Sequence, residues 1–157
     1  MEFSHFVFVD FENVPDVDLA AIAGQAVRVT LLLSKNQKKL STSLTLQIHR
    51  HAKQIELIEV GATGRNALDL VLANYLGQAI ERFPTAEFAI VSKDQDFAAM
   101  IAHLNAISVV RANLVNRRWL SGRLFPLSRG DVPQPGASAL SLGLPAWRPL
   151  QGIKPLV

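Results

Sequence analysis

Two short stretches constrain this chain more than any others. Phe6-Val7-Phe8-Val9 runs into Asp10-Phe11-Glu12-Asn13, and Phe88-Ala89-Ile90-Val91 runs into Ser92-Lys93-Asp94-Gln95-Asp96. A continuous apolar run of this length, rich in β-branched and aromatic residues and bounded by polar ones, reads as a strand buried on both faces. Such strands belong to parallel sheets covered by helices on each side. Both runs end in a cluster of acceptors, and the carboxyl ends of strands are where open α/β sheets place their chemistry.

The segments between them repeat the alternation. Pro15 keeps Val14 out of a helix, and residues 17–23 are expected to form a short helix with Asp16 as N-cap and Gly24 at its close. Residues 27–33 read as a strand, followed by a polar, basic loop over 34–39. Ser41 or Thr42 caps a helix running through 47–50. Residues 55–60 are a strand whose Glu56 and Glu59 suggest an exposed edge. After a Gly61–Gly64 turn, a long helix is expected over about 66–82. Leu68, Val71, Leu72, Tyr75, Leu76 and Ala79 recur there at spacings of three and four, which makes one apolar face. A strand over 87–92, a helix over 97–104 capped by Asp94 or Asp96, and a fifth strand over 107–111 complete the pattern. Right-handed βαβ units then predict a three-layer α/β/α fold with a central parallel sheet of about five strands in the order 3-2-1-4-5. From about residue 126 the periodicity dissolves into Pro and Gly with scattered Leu and Trp147, so 126–157 reads as a tail or docking arm.

Composition narrows the setting. Apolar residues make up 49% of 157, enough for one core. The absence of cysteine excludes disulfides and thiolate metal sites. No apolar run approaches the roughly 20 residues of a membrane span, and the N-terminus lacks secretory features, so the expectation is a soluble, cytoplasmic protein with no membrane partner. The net charge of +3 divides unevenly: −3 over residues 1–104 and +6 over 105–157. An acidic body beside a basic C-terminal third suits a metal site next to a phosphate-tracking surface, and equally a solvated basic tail.

With strands one and four adjacent, the crevice between their carboxyl ends is the topological switch point. Asp10, Asp94 and Asp96 converge there, and the helix after strand three opens on the same rim with Asp69 in its first turn. Carboxylates so gathered repel one another unless neutralised, and a hard divalent cation, Mg²⁺ or Mn²⁺, is the usual neutraliser. Each residue also has a structural use, Asp94 and Asp96 as caps and Asp69 as complement to a helix dipole. Asn13 and Ser92 are placed to orient the carboxylates. Asn66 and Arg65 precede Asp69 by three and four residues, on one helix face. With Lys35 and Lys93, which end strands on this rim, Arg65 or Asn66 is a candidate contact for substrate phosphate. Glu12 lies past the strand end, where solvent or Lys93 is a better partner than a metal. His49 and His51, two apart, face different directions on a helix and make no zinc pair.

Val9-Asp10-Phe-Glu-Asn13, Gly64-Arg-Asn-Ala-Leu-Asp69 and Ser92-Lys-Asp94-Gln-Asp96-Phe97 resemble the PIN-like nucleases, closest to the NYN branch. The resemblance covers about residues 3–112. It implies a PIN-like domain over 1–125 and a metal-dependent ribonuclease that hydrolyses RNA phosphodiester bonds. Asp10, Asp69 and Asp94 would be the core metal-facing carboxylates and Asp96 the fourth, with Asn13 and Ser92 orienting them. PIN-type domains often pair, so a homodimer is a further expectation.

Two other acidic-rim folds fail on their motifs. A response-regulator receiver needs a phosphoacceptor Asp after strand three, where this chain has Glu59-Val60-Gly61. A haloacid-dehalogenase-type phosphatase needs Asp-x-Asp after strand one, where Glu12 stands in the third place. The alternative that survives is a non-catalytic PIN-like module for RNA binding or protein interaction, with Arg117, Arg118, Trp119 and Arg123 as candidate contacts.

Overall fold

β1 (His5–Asp10) lies at the centre of the sheet, and five of its six residues are buried. A computed structural model of the chain describes residues 3–64, 66–107 and 111–115. Within them β1 is flanked by β2 (Val27–Ser34) and β4 (Glu87–Val91), and these in turn by β3 (Ile55–Val60) and β5 (Arg111–Val115). The order is 3-2-1-4-5 and every pairing is parallel. The register sets Val9 beside Leu31 and Val91, so β1 and β4 end together.

Right-handed crossovers put the connections after β1 and β2 on one side of this sheet and those after β3 and β4 on the other. On the second side, α2 (Ala67–Arg82) and α3 (Asp96–Ile107) bury Leu68, Leu72, Leu76, Phe97 and Ile101 against Phe6, Phe8, Phe88 and Ile90. Burying each such side chain is worth about 1.5–3 kcal/mol, so this layer is a main source of cohesion. The opposite face carries Val7, Val9, Val29, Leu31, Ala89 and Val91, also buried. On that side lies α1 (Thr42–Arg50), whose first turn is capped by Ser41 accepting from the Leu44 N–H at 3.2 Å. β3 is an edge strand as its two Glu residues suggest, and Glu56 pairs with Arg28 of β2 at 3.1 Å. No helix among the described residues is long and apolar enough to cross a membrane.

Two elements differ from the sequence expectation. The helix over 17–23 is reduced to a 3-10 turn, Ala20–Ile22. Its backbone donors are taken by side chains instead: Leu19 N–H donates to Gln47 Oε1 at 2.7 Å, and Ala20 N–H to Asp18 Oδ1 at 3.0 Å. Leu19 rather than Asp16 is the N-cap residue of this turn, while Gly24 does leave it with a positive φ of 73°. The fifth strand is the second difference. Its described part is Arg111–Val115, and α3 continues through Ile107, 65% exposed, at the position expected for the start of the strand; residues 108–110 lie outside the described residues. The position of β5 is held by a side chain. Asn105 of α3 donates from Nδ2 to the Ala112 carbonyl at 2.8 Å and accepts the Ala112 N–H on Oδ1 at 2.9 Å. An edge strand leaves a row of unpaired backbone groups, and this amide satisfies two of them.

Replacing Asn105 with Ala orphans both groups of the buried Ala112. The variant is expected to lose about 1–3 kcal/mol of stability, measurable by urea denaturation, with faster amide exchange along β5 than along β1.

Candidate active site

The site grows from the last residue of β1. Asp10 is 0% exposed, and a buried charge persists only where hydrogen bonds replace water. Three do so. Asn13 donates its backbone N–H to Oδ1 at 3.2 Å and its side-chain amide to Oδ2 at 2.6 Å, closing the turn that leaves the strand. Ser92, just past β4 and 1% exposed, donates its hydroxyl to Oδ2 at 2.6 Å. The pairing of Val9 with Val91 makes this contact unavoidable, because the next residue on each strand is Asp10 and Ser92.

From Ser92 the bonding continues outward. Its Oγ accepts the Asp94 N–H at 3.0 Å, and Asp94 Oδ1 accepts the Asp96 N–H at 2.9 Å, at the start of α3. Asp94 thus serves as the cap of α3 while presenting its carboxylate to the rim. Asp96 is exposed and opens the helix.

Asp69 sits in the first turn of α2, half-buried. Its pKa is raised above the ordinary value, first by desolvation and then by the negative charges of Asp10, Asp94, Asp96 and Glu12. The fold therefore brings all four expected carboxylates into one electrostatic neighbourhood and adds a fifth. Glu12 is exposed, yet its field reaches Asp69. Reading the sequence missed that contribution, although the Asp-x-Glu spacing at the end of β1 carried the signal.

The carboxylates share a rim without closing on a point. Among the described residues, no three His, Cys, Asp or Glu side chains lie close enough to hold one metal ion. Repulsion keeps like charges apart, and the hydrogen bonds on Asp10 Oδ2 and Asp94 Oδ1 hold those groups where the backbone needs them. The chemistry of the donors does fit a hard divalent cation: every group is a carboxylate, and the negative field felt by Asp69 is one that a cation relieves. Asn66 is not on the helix face with Asp69. It is the N-cap residue, left-handed at φ 61°, exposed and without a capping hydrogen bond from its side chain. Lys35 and Lys93 are exposed, Lys93 directly between Ser92 and Asp94. Arg65, and the candidate contacts Arg117, Arg118, Trp119 and Arg123, lie outside the described residues, as does the 126–157 arm.

Comparison with protein-family models matches residues 4–111 to the PIN domain. No curated protein and no solved structure matches the chain.

A raised carboxyl pKa in the folded chain contributes stability that is fully present below the ordinary value of 3.8 and is lost as pH rises through the folded value. Ionised Asp69 is then a net burden at neutral pH without a cation. Asp69→Asn is expected to raise the melting temperature in EDTA at pH 7, with the gain fading as pH falls through the folded value and gone below 3.8. Added Mn²⁺ is expected to raise the melting temperature of the parent chain more than that of the variant. Scanning calorimetry across pH reads both.

Proposed function

Because this chain belongs to the PIN domain family, whose fold is nuclease-like, we propose that it is a metal-dependent endoribonuclease acting on cytoplasmic RNA, nearest in its motifs to the NYN branch. The observation that carries this reading is the field on Asp69, which gathers Asp10, Asp94, Asp96 and Glu12 at the switch point of the sheet. Asp10, Asp69, Asp94 and Asp96 would hold a Mg²⁺ or Mn²⁺ ion. When bound, such an ion lowers the pKa of an attacking water and shields charge on the scissile phosphate.

The chain's own residues have distinct tasks in this scheme. Asp10 is fixed by Asn13 and Ser92, so its carboxylate needs no reordering when a ligand arrives. Asp69, whose pKa is raised by burial and then by the surrounding carboxylates, would be a member whose protonation ends activity on the acid side. Lys93 and Lys35 stand on the rim as exposed cations that can meet substrate phosphates. We assign this machinery to residues 1–125 and a docking role, on RNA or on a second copy of the chain, to 126–157.

One observation favours a second reading. With no three carboxylates at chelating distance among the described residues, the domain also suits a PIN-like module that binds RNA without cutting it.

The two readings separate in a cleavage assay on unpaired and structured RNA. A nuclease cuts with Mn²⁺ or Mg²⁺, stops in EDTA, and loses at least ~100-fold in rate on Asp10→Asn, the scale expected for losing a group that acts in the transition state. Ser92→Ala keeps the fold and costs about 10- to 100-fold, the usual penalty for removing a partner that orients a ligand. RNA that is bound but left intact under every divalent metal tried would end the enzyme reading and leave the binding module.

A further inference from the structure

A second feature lies toward the opposite end of the sheet from the carboxylates. α2 packs on β1, β2 and β3 as it returns from the end of β3 toward the start of β4. Beside its C-terminal half, over the amino-terminal halves of these strands, is a cleft of about 280 Å³. That size is near the lower bound of small-ligand pockets, about 300 Å³. From Phe6 on its floor to Asp10 is about 13 Å along the strand, so the cleft is separate from the carboxylate rim.

Its walls have two characters. One is a ladder of rings. Phe83 stacks on Phe6 with centroids 4.5 Å apart and planes at 26°, and Phe6 stacks on Phe88 at 5.7 Å and 23°. Phe83 ends the ladder and is 38% exposed, although it is a large apolar side chain. The other character is polar and comes from the sheet itself. Phe8, Thr30 and Glu56 are register neighbours across three strands, and Phe6 neighbours Arg28. Thr30 is only 5% exposed and lines the cleft. No buried side-chain N or O atom among the described residues is left without a partner, so the Thr30 hydroxyl opens on the cleft, where a ligand can meet it. Glu56 and Arg28 face each other at 3.1 Å beside it.

Arg82, exposed and without an ion-pair partner among the described residues, lines both this cleft and an adjoining one of about 380 Å³, as do Phe3 and Phe83. The second cleft adds the hydroxyl residues Ser4 and Thr85. An open aromatic ring, a hydroxyl and a carboxylate in one compartment, with the Arg82 guanidinium at the boundary of the next, match a flat heteroaromatic ring joined to an anion. We propose that this cleft binds a nucleobase bearing a phosphate, the base against Phe83 with its edge on Thr30 and Glu56, and the phosphate at Arg82. An aromatic face accepts any base, and arginine supplies the charge contact. The same chemistry is offered by a free mononucleotide and by an unpaired nucleotide of an RNA chain. The proposal is independent of whether the carboxylate rim cuts RNA.

The test uses the full 157-residue chain, ¹⁵N-labelled, in EDTA. AMP, UMP and an unpaired hexa-adenylate are titrated in turn while amide shifts are followed. Shifts at Phe3, Thr30, Glu56, Gln78 and Phe83 are expected, with Asp10, Asn13, Ser92 and Asp94 unmoved. Shifts with the mononucleotides alone identify a free nucleotide as ligand, and stronger shifts with hexa-adenylate identify an RNA chain. Phe83→Ala is expected to weaken binding by about 5- to 150-fold, the range for one base–aromatic stack. Since Phe83 also supports Phe6, Thr30→Val and Arg82→Gln are measured beside it, each checked for fold by circular dichroism and each expected to weaken binding. Shifts confined to the carboxylate rim, no shift with any probe at millimolar concentration, or undiminished binding by the folded Thr30→Val and Arg82→Gln variants would overturn the proposal. Because no step depends on metal or turnover, loss of the nuclease reading leaves this result standing.

Discussion

The hydrogen bond from Ser92 to Asp10 is the contact on which the acidic rim depends. It joins the ends of two neighbouring strands that are 82 residues apart in sequence, and both partners are buried. A buried hydrogen bond to a charged group is stronger than a neutral one, and its loss leaves a charge with too few donors. The same hydroxyl accepts the Asp94 N–H, and Asp94 in turn accepts the Asp96 N–H at the start of α3. One chain of bonds therefore runs from the β1 turn through the end of β4 to the first residue of α3. The positions of Asp10, Asp94 and Asp96 are set together rather than one by one.

That arrangement builds tension into the rim. Asp10 accepts three hydrogen bonds and Asp94 one, whereas the environment of Asp69 is partial burial plus four negative charges. Two ways of relieving it exist, a proton or a cation. A cation at the rim, as the proposed function has it, would relieve the same field that raises the Asp69 pKa, and so would couple its binding to stability. A rim whose field repels phosphate is a poor RNA surface by itself, which is why the proposed function places a cation there.

Much of this was legible from the order of residues. Two apolar runs ending in Asp10 and in Ser92-Lys-Asp94 imply central strands, and the handedness of βαβ units turns their place in sequence into neighbourhood in space. Asp69 followed from the helix after β3 opening on the same rim. What escaped was decided by distant side chains. The 17–23 helix is lost to Gln47, which lies 28 residues beyond Leu19. Ile107 ends α3 rather than opening the fifth strand, and Asn105 holds both backbone groups of Ala112. No local pattern carries such information. Glu12 was set aside because position alone says exposed, and exposure does not stop a charge from acting a few ångströms away.

The cleft beneath α2 was visible only as an inconsistency. Arg28 and Thr30 fall at alternate positions of β2, a strand with two covered neighbours, and on the face where Leu32 is core. A strand in that place has little reason to carry polar side chains on a buried face unless something polar meets them. Glu56 on β3 extends the row, and its pairing with Arg28 accounts for two of the three. The third, Thr30, lines the cleft. Polar side chains on a face that is otherwise core tend to mark sites of function, and here the hydroxyl stands beside an exposed ring and Arg82. The carboxylate rim and this cleft thus arise from the same cause: a sheet whose helices, by their fixed crossover geometry, cannot cover both ends of every strand.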